Sequence, residues 1–369
     1  MKVAIVCDWL SGTGGAERVV LELHKLYPDA PIYTSQYNSD PKIWYGDKWF
    51  AGADIRTAWL QKLPVALKKF LPVFRALYFS RLDLSDYDLV ISSSGAEAKG
   101  VKPGPNTVHI SYLHAPTHYY WARYNDYMKH PGFGLLNPLA RLGLKLLVGP
   151  MRHWDYKAAQ KPDFIIANST FTKNQIKKYY GREAKVIFPP VDTERFKFNT
   201  GSAEARSGFV VAGRQTPYKK ISLAVAACTK LNQQLTVIGN GPEHSHLEKI
   251  AGPSINFITD ASDKEVARYF QVASAFIFPG VDDFGIVAVE ALAAGTPIIA
   301  YKDGGVLDYV NTETGIFFEK QTVAGLVAVL TNFGRIKFDY RKVAAAAQEY
   351  NVPNFVNNMT IFINKVAKP

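Results

Sequence analysis

Three cationic side chains follow an apolar run in the second half of the chain. Residues 209–212 read Phe-Val-Val-Ala, a pattern typical of a buried strand, and the next segment, GRQTPYKK, carries Arg214, Lys219 and Lys220. Two fixed cations beyond the end of a strand can clamp a diphosphate and stabilise the negative charge that grows on it as a bond breaks. On their own, the same residues are also typical of a solvated surface loop.

Three carboxylates lie in a second segment, FPGVDDFGIVAVEALAAGTP. Asp282 and Asp283 precede Phe284 and Gly285, and Glu290 interrupts an otherwise apolar helical run. A glutamate on such a helix is costly to bury unless it has hydrogen-bond partners. Sugar or ribose hydroxyls would suit a carboxylate acceptor. A helix-face glutamate that pairs with a nearby amide or lysine is the alternative.

Glycines supply two candidate phosphate sites. Gly304 and Gly305 follow the apolar run at residues 298–300, and GTGG at residues 12–15 follows the first apolar run of the chain. Glycine lets backbone N–H groups approach a ligand, and a helix N-terminus favours anions. The loop at residues 12–15 does not match a nicotinamide-nucleotide fingerprint, because Glu17 occupies the third glycine position of G-x-G-x-x-G. Plain turns are the alternative for both loops.

These chemical groups come after apolar runs of strand length that alternate with helix-like windows in both halves of the chain. Such alternation predicts the α/β class, with parallel sheets covered on both faces. The pattern restarts after residues 189–208, a polar, linker-like segment. We therefore predict two Rossmann-like, doubly wound parallel-sheet domains, residues 1–190 and 191–349, that face each other across a cleft at their ligand-binding strand ends. A helix within residues 350–369 would return to the first domain.

The composition indicates a globular protein. The 369 residues are 47% hydrophobic and 20% charged, which is enough to build cores. The longest apolar runs fall short of the roughly 18–20 residues that a membrane span needs, and the N-terminus leads directly into strand-like sequence. Cys7 and Cys228 lie in core-like segments and need not pair, which fits a reducing compartment. We expect a soluble, cytoplasmic protein.

The net charge of +11 is concentrated in the first half, because residues 1–190 carry 25 Lys and Arg against 15 Asp and Glu, hence +10. The densest stretch, residues 56–81, interleaves cations with Trp, Leu and Phe and contains no acid. Its cations are Arg56, Lys62, Lys68, Lys69, Arg75 and Arg81. This pattern predicts a segment on an anionic membrane surface, with two ordinary amphipathic helices as the alternative. No zinc spacing, RNP-like motif or Arg-rich tail supports a nucleic acid partner.

Several segments together resemble one family. The motifs GRQTPYKK, IGNGPEHSHLEKI, FPGVDDFGIVAVEALAAGTPIIAYKDGG and VIFPPVDTERF look like the signature of the retaining nucleotide-sugar glycosyltransferases of family 4. The first half adds GGAERVV, YDLVISSSGAEAKGV, YLHAPTHYYW and ANSTFTKNQIKKYYGR. This second set resembles the branch of bacterial polysaccharide mannosyltransferases. The resemblance implies a GT-B fold, with the acceptor on the first domain and the nucleotide sugar on the second.

The resemblance also implies residue roles. Arg214 and Lys219 would neutralise the leaving diphosphate, and Lys220, which stands where a glycine is usual, could substitute for Lys219. Glu290 matches the glutamate that holds the ribose hydroxyls. Asp282 matches the first glutamate of the paired-glutamate motif, which contacts hydroxyls of the donor sugar, and it is one methylene shorter.

Further roles fall to backbone groups and a histidine. Gly304, Gly305 and Val306 would offer N–H groups to phosphate and sugar, and Gly14 and Gly15 would close over the phosphates. His114, in YLHAPTHYYW, matches the histidine near the C6 hydroxyl and the reacting carbon of the donor sugar, with a core or capping histidine as the alternative. The expected donor-binding set is Gly14, Gly15, Lys220, Asp283, Phe284, Gly285, Glu290, Gly304, Gly305 and Val306; the expected catalytic set is His114, Arg214, Lys219 and Asp282.

The implied reaction is hexosyl transfer with retained anomeric configuration. We expect no metal and no cofactor beyond the nucleotide sugar, because Arg214 and Lys219 supply the charge that Mg²⁺ would bring. The favoured donor is GDP-mannose. The favoured acceptor is a lipid-linked oligosaccharide of cell-surface polysaccharide synthesis, at the inner face of the cytoplasmic membrane, with which the protein would associate peripherally. A UDP-sugar for glucosyl or galactosyl transfer and a non-catalytic nucleotide-sugar-binding homologue are the alternatives.

Overall fold

The computed structural model describes residues 1–44, 49–63, 71–132, 134–199 and 206–367. Contacts divide the chain into two compact units. The first comprises Met1–Pro190 together with Phe355–Pro369, and the second comprises Val191–Asn354.

The first unit is built on a parallel sheet. In chain order its elements are β1 (Val3–Cys7), α1 (Gly15–Leu26), β2 (Ile32–Thr34), β3 (Ile55–Arg56), α2 (Pro72–Arg81), β4 (Asp83–Leu84), β5 (Leu89–Ser94), β6 (Lys102–Pro103), β7 (Val108–Leu113), α3 (Tyr124–Lys129), α4 (Asn137–Ala159), β8 (Phe164–Ala167), α5 (Thr170–Tyr180) and β9 (Lys185–Val186). The main sheet has the order β3-β2-β1-β5-β7-β8-β9, with every neighbouring pair parallel. Strands β4 and β6 form a separate parallel pair.

Strand β1 shows why both faces of this sheet are covered. All five of its side chains are buried; Val3, Ile5 and Cys7 pack into one apolar cluster, and Ala4 and Val6 pack into another. Because side chains alternate between the two faces of a strand, the two clusters lie on opposite faces of the sheet. A continuous apolar run is the expected signature of a strand that is buried on both sides.

The second unit repeats the same architecture. Its elements are β10 (Phe209–Ala212), α6 (Ile221–Leu231), β11 (Leu235–Ile238), α7 (His244–Ile250), β12 (Ile255–Ile258), α8 (Asp263–Val272), β13 (Ala275–Phe278), α9 (Ile286–Ala293), β14 (Ile298–Tyr301), β15 (Gly315–Phe318), α10 (Val323–Phe333), α11 (Tyr340–Ala346) and α12 (Val352–Val366), most of which belongs to the first unit. The sheet order is β12-β11-β10-β13-β14-β15, again all parallel. The predicted α/β class with two doubly wound parallel sheets is confirmed.

Several elements of the first unit were not anticipated from the sequence, β2 and α4 among them. Strand β2 has only three residues, too few for a periodicity to be recognised. Helix α4 has 23 residues, and its first half is rich in leucine on every side. In the described part of the chain, no helix combines the length and the apolar character needed to cross a bilayer. Cys7 and Cys228 are both buried free thiols.

Helix α12 packs on the core of the first unit. Phe355, Met359 and Ile363 recur every four residues and therefore face one side of the helix. Each is 3% exposed or less, within the apolar cluster that also contains side chains of β1, β5 and β7. Ile361, on the other side of the helix, is 59% exposed. Burial of one face, rather than helix propensity, is therefore what holds α12 in place.

Replacing Met359 with Ala should destabilise the first unit, because the truncation leaves a cavity at a fully buried position and such changes cost about 2–5 kcal/mol. The matched control is Ile361→Ala on the exposed side of the same helix, which should change the free energy of unfolding by about 0.5 kcal/mol or less. Chemical denaturation of both variants measures the difference. Equal effects of the two substitutions would contradict the packing of α12 on this core.

Candidate functional site

Three loops of the second unit meet because their strands are neighbours. Strands β10, β13 and β14 are adjacent and parallel, so the segments that follow them leave the same edge of the sheet. A β-carbon on Gly280, after β13, would lie 2.8 Å from the backbone of Lys219, after β10. A β-carbon on Gly304, after β14, would lie 2.7 Å from the carbonyl oxygen of Asp282. Glycine at these two positions allows the loops to touch, so three of the sequence motifs form one cluster.

Lys219 and Asp282 form an ion pair inside this cluster. Nζ of Lys219 contacts Oδ2 of Asp282, and the two side chains are 18% and 12% exposed. The Lys219 ammonium also lies 5.8 Å from the ring centre of Phe278. A cation with little water around it interacts strongly with nearby anions, so a ligand diphosphate can compete with the carboxylate for Lys219. From the sequence, the two residues were expected to have separate roles, and their pairing was not anticipated.

Two backbone N–H groups of the loop after β14 already donate hydrogen bonds within the protein. The Gly304 N–H donates to Oδ1 of Asp303 over 2.8 Å, and the Gly305 N–H donates to the carbonyl oxygen of Asp282 over 2.8 Å. The Gly305 bond joins this loop to the loop after β13, which corrects the expectation that this N–H is offered to a ligand. The Gly304 N–H is held by a side-chain carboxylate, which an anion could replace. Val306 is fully buried in the following turn.

The other polar residues of these loops differ in exposure. Arg214 and Lys220 are exposed and Asp283 is half-buried. Lys220 has φ +53°, in the left-handed region, where a residue with a β-carbon costs roughly 1–2 kcal/mol. A glycine would adopt this conformation without strain, which fits the resemblance to a family that has glycine here. Lysine at position 220 therefore carries a conformational free-energy cost that glycine would not have.

Glu290 and Phe284 are both buried, with different consequences. Glu290 lies in α9 at 7% exposure, close behind Gly285, which caps the helix with φ +90°. Phe284 is 3% exposed and packs against the rings of Tyr309 and Tyr350, so its side chain stabilises the loop. The Tyr309 hydroxyl donates to the carbonyl oxygen of Phe284 over 2.8 Å. Burial, reinforced by the charge of Asp282, raises the pKa of Tyr309 well above its usual value, which keeps it a donor.

Gln215 and His244 fix the loop that carries Arg214. Gln215 is fully buried; its Nε2 donates to the Gly239 carbonyl over 2.7 Å, and its Oε1 lies 2.8 Å from Nδ1 of His244. These bonds tie the segment after β10 to the segment after β11. Neither Gln215 nor His244 was singled out from the sequence. The signal available in the sequence was the position of Gln215, a polar residue that closely follows a buried strand.

In the first unit, His114 follows β7 and is held from several sides. Its Nε2 lies 2.8 Å from Oγ of Ser93, at the end of the neighbouring strand β5. Its backbone carbonyl accepts from Nδ2 of Asn168 over 2.9 Å, and its backbone N–H donates to the Ser94 carbonyl over 2.9 Å. The bond to Ser93 therefore fixes the imidazole, and the other two bonds fix the backbone of His114. Ser93 was not anticipated as its partner.

Asp8 organises the loop after β5. Its carboxylate accepts from the backbone N–H groups of Gly95 over 2.7 Å, Ala96 over 3.0 Å and Ala98 over 2.7 Å, and the side chain is buried. Three charge-assisted bonds of this kind are strong and compensate for burying the charge. The acid directly after β1 is thus a structural anchor, which the sequence analysis missed.

Gly14 and Gly15 stand at the start of α1, which begins at Gly15. Gly14 occupies the N-cap position without a side-chain cap, and its carbonyl accepts from the Arg18 N–H over 3.1 Å. Glu17 lies in the first turn, where a negative charge is favourable to the helix dipole. The loop therefore presents a helix N-terminus, as the sequence predicted.

The basic stretch at residues 56–81 is less cationic at its surface than its composition predicted. Arg75 is buried, and its Nε lies 2.7 Å from Oε2 of Glu97. Arg56 pairs with Asp54, with Nη2 and Oδ2 2.6 Å apart. Counting Arg75 as a membrane-facing charge was wrong, because an acid distant in sequence neutralises it in the core. Lys68 and Lys69 lie outside the described residues.

Comparison with known proteins extends this account. The family model described as "Glycosyl transferases group 1" matches residues 192–349, and the one described as "Glycosyltransferase Family 4" matches residues 13–195. A D-inositol 3-phosphate glycosyltransferase of Streptomyces avermitilis is 28% identical over an alignment of 205 residues, and the match covers 46% of this chain and 44% of that protein. A GDP-mannose-dependent alpha-(1-6)-phosphatidylinositol monomannoside mannosyltransferase of Mycobacterium tuberculosis is 26% identical over an alignment of 191 residues, and the match covers 44% of this chain and 50% of that one. The chain thus spans half or less of the length of these relatives.

A solved structure shows the same fold over the whole chain. The crystal structure of Anabaena Alr3699/HepE in complex with UDP has a TM-score of 0.68 at 17% identity, and the match covers 99% of this chain and 100% of that one. With the two family models, this match covers both units. The chain belongs to family 4 of the glycosyltransferases, with the GT-B fold of two Rossmann-like domains.

Proposed function

We propose that this protein is a retaining glycosyltransferase that moves a hexose from a nucleoside-diphosphate sugar to an acceptor hydroxyl. The observation that carries the proposal is the Lys219–Asp282 ion pair at the tips of three parallel strands, within the unit that matches the group 1 family model. In such a reaction the leaving group is a diphosphate, whose charge increases as the glycosidic bond breaks. A fixed cation beside it is therefore worth more in the transition state than in the ground state.

In the proposed donor complex, the diphosphate replaces Asp282 as the partner of Lys219. The diphosphate carries more negative charge than a carboxylate, so it competes successfully with Asp282 for the ammonium. The carboxylate of Asp282, released from the lysine, then accepts a hydrogen bond from a hydroxyl group of the donor sugar. Binding of the complete donor thus replaces one ion pair with two charge-assisted interactions.

The reaction itself is proposed to occur on one face of the sugar. The bond between the anomeric carbon and the diphosphate oxygen breaks, the acceptor oxygen bonds to the same face, and the acceptor's proton passes to the departing diphosphate. Arg214 is the second cation, and Glu290 holds the ribose hydroxyls. Among the residues that the structure describes, no three His, Cys, Asp or Glu side chains are grouped to hold a metal ion, and we assign the required positive charge to Arg214 and Lys219.

The remaining roles in this proposal come from the resemblance. Backbone groups of the loop after β14, beginning with the Gly304 N–H, contact the diphosphate. His114 contacts the donor sugar, and Gly14 and Gly15 contact the phosphates from the N-terminus of α1.

GDP-mannose is the proposed donor. The resemblance to bacterial polysaccharide mannosyltransferases and the name of the Mycobacterium tuberculosis relative both support mannose from GDP-mannose. The structural neighbour bound to UDP supports a UDP-sugar as the second candidate. A lipid-linked oligosaccharide at the inner face of the cytoplasmic membrane is the proposed acceptor, which the +10 charge of residues 1–190 supports.

Replacing Lys219 with Ala should lower the rate of GDP release from GDP-mannose by about 10² or more, because the growing charge on the leaving group loses its cation. Lys220→Gly is the matched comparison: it removes the neighbouring cation of the expected donor-binding set and relieves the left-handed backbone conformation, and it should lower the rate by about 10-fold or less. The same assay with GDP-fucose, UDP-glucose and UDP-galactose ranks the donors, with GDP-mannose expected first.

Two results of this assay would contradict the proposal. Full activity of Lys219→Ala together with loss of activity in Lys220→Gly would show that the essential cation is Lys220 and not Lys219. A wild-type protein that binds nucleotide yet neither hydrolyses nor transfers any of these sugars would be a non-catalytic binding homologue.

Replacing Asp282 with Asn should separate binding from turnover. The amide has the same shape without the charge, so GDP no longer competes with a carboxylate for Lys219 and should bind about 3–10-fold more tightly. Release of GDP from GDP-mannose should fall by about 10-fold or more, because an amide is a weaker acceptor for a sugar hydroxyl. Calorimetric titration with GDP and the release assay give the two numbers.

Asp283→Asn is the control for this experiment, since it removes the adjacent charge outside the ion pair. It should change GDP binding by about 2-fold or less and should lower the release rate less than Asp282→Asn does. Weaker GDP binding by the Asp282→Asn variant would show that Asp282 supports nucleotide binding instead of competing with it.

A further inference from the structure

The first half of helix α4 exposes an apolar face. Leu139, Leu142 and Leu146, spaced by three and four residues and therefore on one side of the helix, are 67%, 54% and 67% exposed. We call these three residues the leucine face. Soluble helices normally place polar residues on the outer side, and a contiguous exposed apolar patch marks an interaction site.

The second half of α4 holds the helix firmly in the first unit. Asp155 is fully buried, with Oδ1 2.6 Å from Nζ of Lys99, and it accepts hydrogen bonds from Thr117, Trp121 and Tyr180 over 2.8, 2.7 and 2.6 Å. The leucine face is therefore the exposed part of a helix that is anchored at its C-terminal end.

The segment of sequence that carries the leucine face contains positive charges and no acid. Residues 127–154 contain no Asp or Glu, and they include Lys129, Arg141, Lys145 and Arg152. Arg141 and Lys145 lie within the same half of α4 and are exposed. Arg141 also donates to the carbonyl oxygen of Met128 over 2.9 Å, which ties the helix to the end of α3. An apolar stripe flanked by basic residues complements the headgroups and acyl chains of an anionic lipid surface.

Helix α2 is a neighbour of the second half of α4 and also exposes apolar residues. Nε1 of Trp154 in α4 lies 3.4 Å from Oγ of Ser80 in α2, and Ala76 of α2 shares a buried cluster with Met151 of α4. Helix α2 itself exposes Val73, Phe74 and Leu77 at 42%, 47% and 42%. These three residues are less exposed than the leucine face.

We propose that the leucine face lies in the interface of an anionic bilayer, with Arg141 and Lys145 at the headgroups. The proposal rests on the proposed function only for the choice of a membrane as the acceptor's location; the exposed leucines and the charges are independent of it. A lipid surface is favoured over a protein partner because protein interfaces concentrate their binding energy in Trp, Tyr and Arg and under-represent Leu. The membrane contact is thus assigned to α4, outside residues 56–81.

The test uses the 369-residue chain and two kinds of vesicle, pure phosphatidylcholine and phosphatidylcholine with about 30% phosphatidylglycerol. The phosphatidylglycerol supplies the negative surface charge that attracts basic segments. The variant Leu139→Gln, Leu142→Gln, Leu146→Gln keeps helix propensity, because Leu and Gln are similar helix formers. Co-sedimentation with anionic vesicles should weaken by about 100-fold, since three partly exposed leucines no longer enter the acyl region. Wild-type binding should also weaken when salt is raised from about 0.1 M to 1 M.

The matched control is Val73→Gln, Phe74→Gln, Leu77→Gln on α2, for which binding should weaken by about 10-fold or less. Both variants should keep the thermal stability of the wild type and its stabilisation by GDP, which separates loss of membrane binding from misfolding. Because vesicle binding needs no turnover, an inactive protein that binds vesicles through α4 would overturn the proposed function and leave this inference standing.

Three outcomes would overturn the inference. The wild type could fail to bind anionic vesicles. The α2 variant could lose binding while the α4 variant keeps it. The α4 variant could convert a dimer of this chain into a monomer, with no vesicle binding by the wild type, which would make a second copy the occupant of the leucine face.

Discussion

Parallel pairing of β10, β13 and β14 is the constraint on which the candidate site depends. Parallel neighbours must all be joined by crossovers, so the chain leaves each strand at the same edge of the sheet. Residues that are about 60 and 20 positions apart in sequence thereby come together, as Lys219, Asp282 and Gly304 do. Glycine at positions 280 and 304 permits the close approach of the loops, because no β-carbon fits there.

The ion pair formed at this edge is suited to exchange rather than to stability. Lys219 and Asp282 are largely shielded from water. The loss of hydration that this burial requires offsets much of the attraction between the two charges. A polyanion that approaches the pair can therefore replace the carboxylate at modest cost. The first unit uses its buried charges differently: Asp8 and Asp155 each satisfy several donors, which fixes loops and a helix in place.

Much of the fold and part of the site could be predicted from the sequence. Strands such as β1 and β10 are continuous apolar runs bounded by glycine or polar residues, so their period and length identify them. The cations and glycines after them follow from the same pattern. Pairing across the fold could not be predicted: Arg75 is neutralised by Glu97, Gln215 binds His244, and Lys219 meets Asp282. Such contacts join positions between 22 and 63 residues apart, and no local periodicity encodes them. The exposed leucines of α4 were missed because an apolar helix is ordinarily read as core.

A crystal structure of the 369-residue chain soaked with GDP would show whether the diphosphate replaces Asp282 as the partner of Lys219. We expect a β-phosphate oxygen about 2.7–2.9 Å from Nζ of Lys219, the carboxylate of Asp282 separated from the ammonium, and Glu290 in contact with the ribose. GDP bound at another edge of the sheet, with the Lys219–Asp282 pair intact, would contradict this expectation.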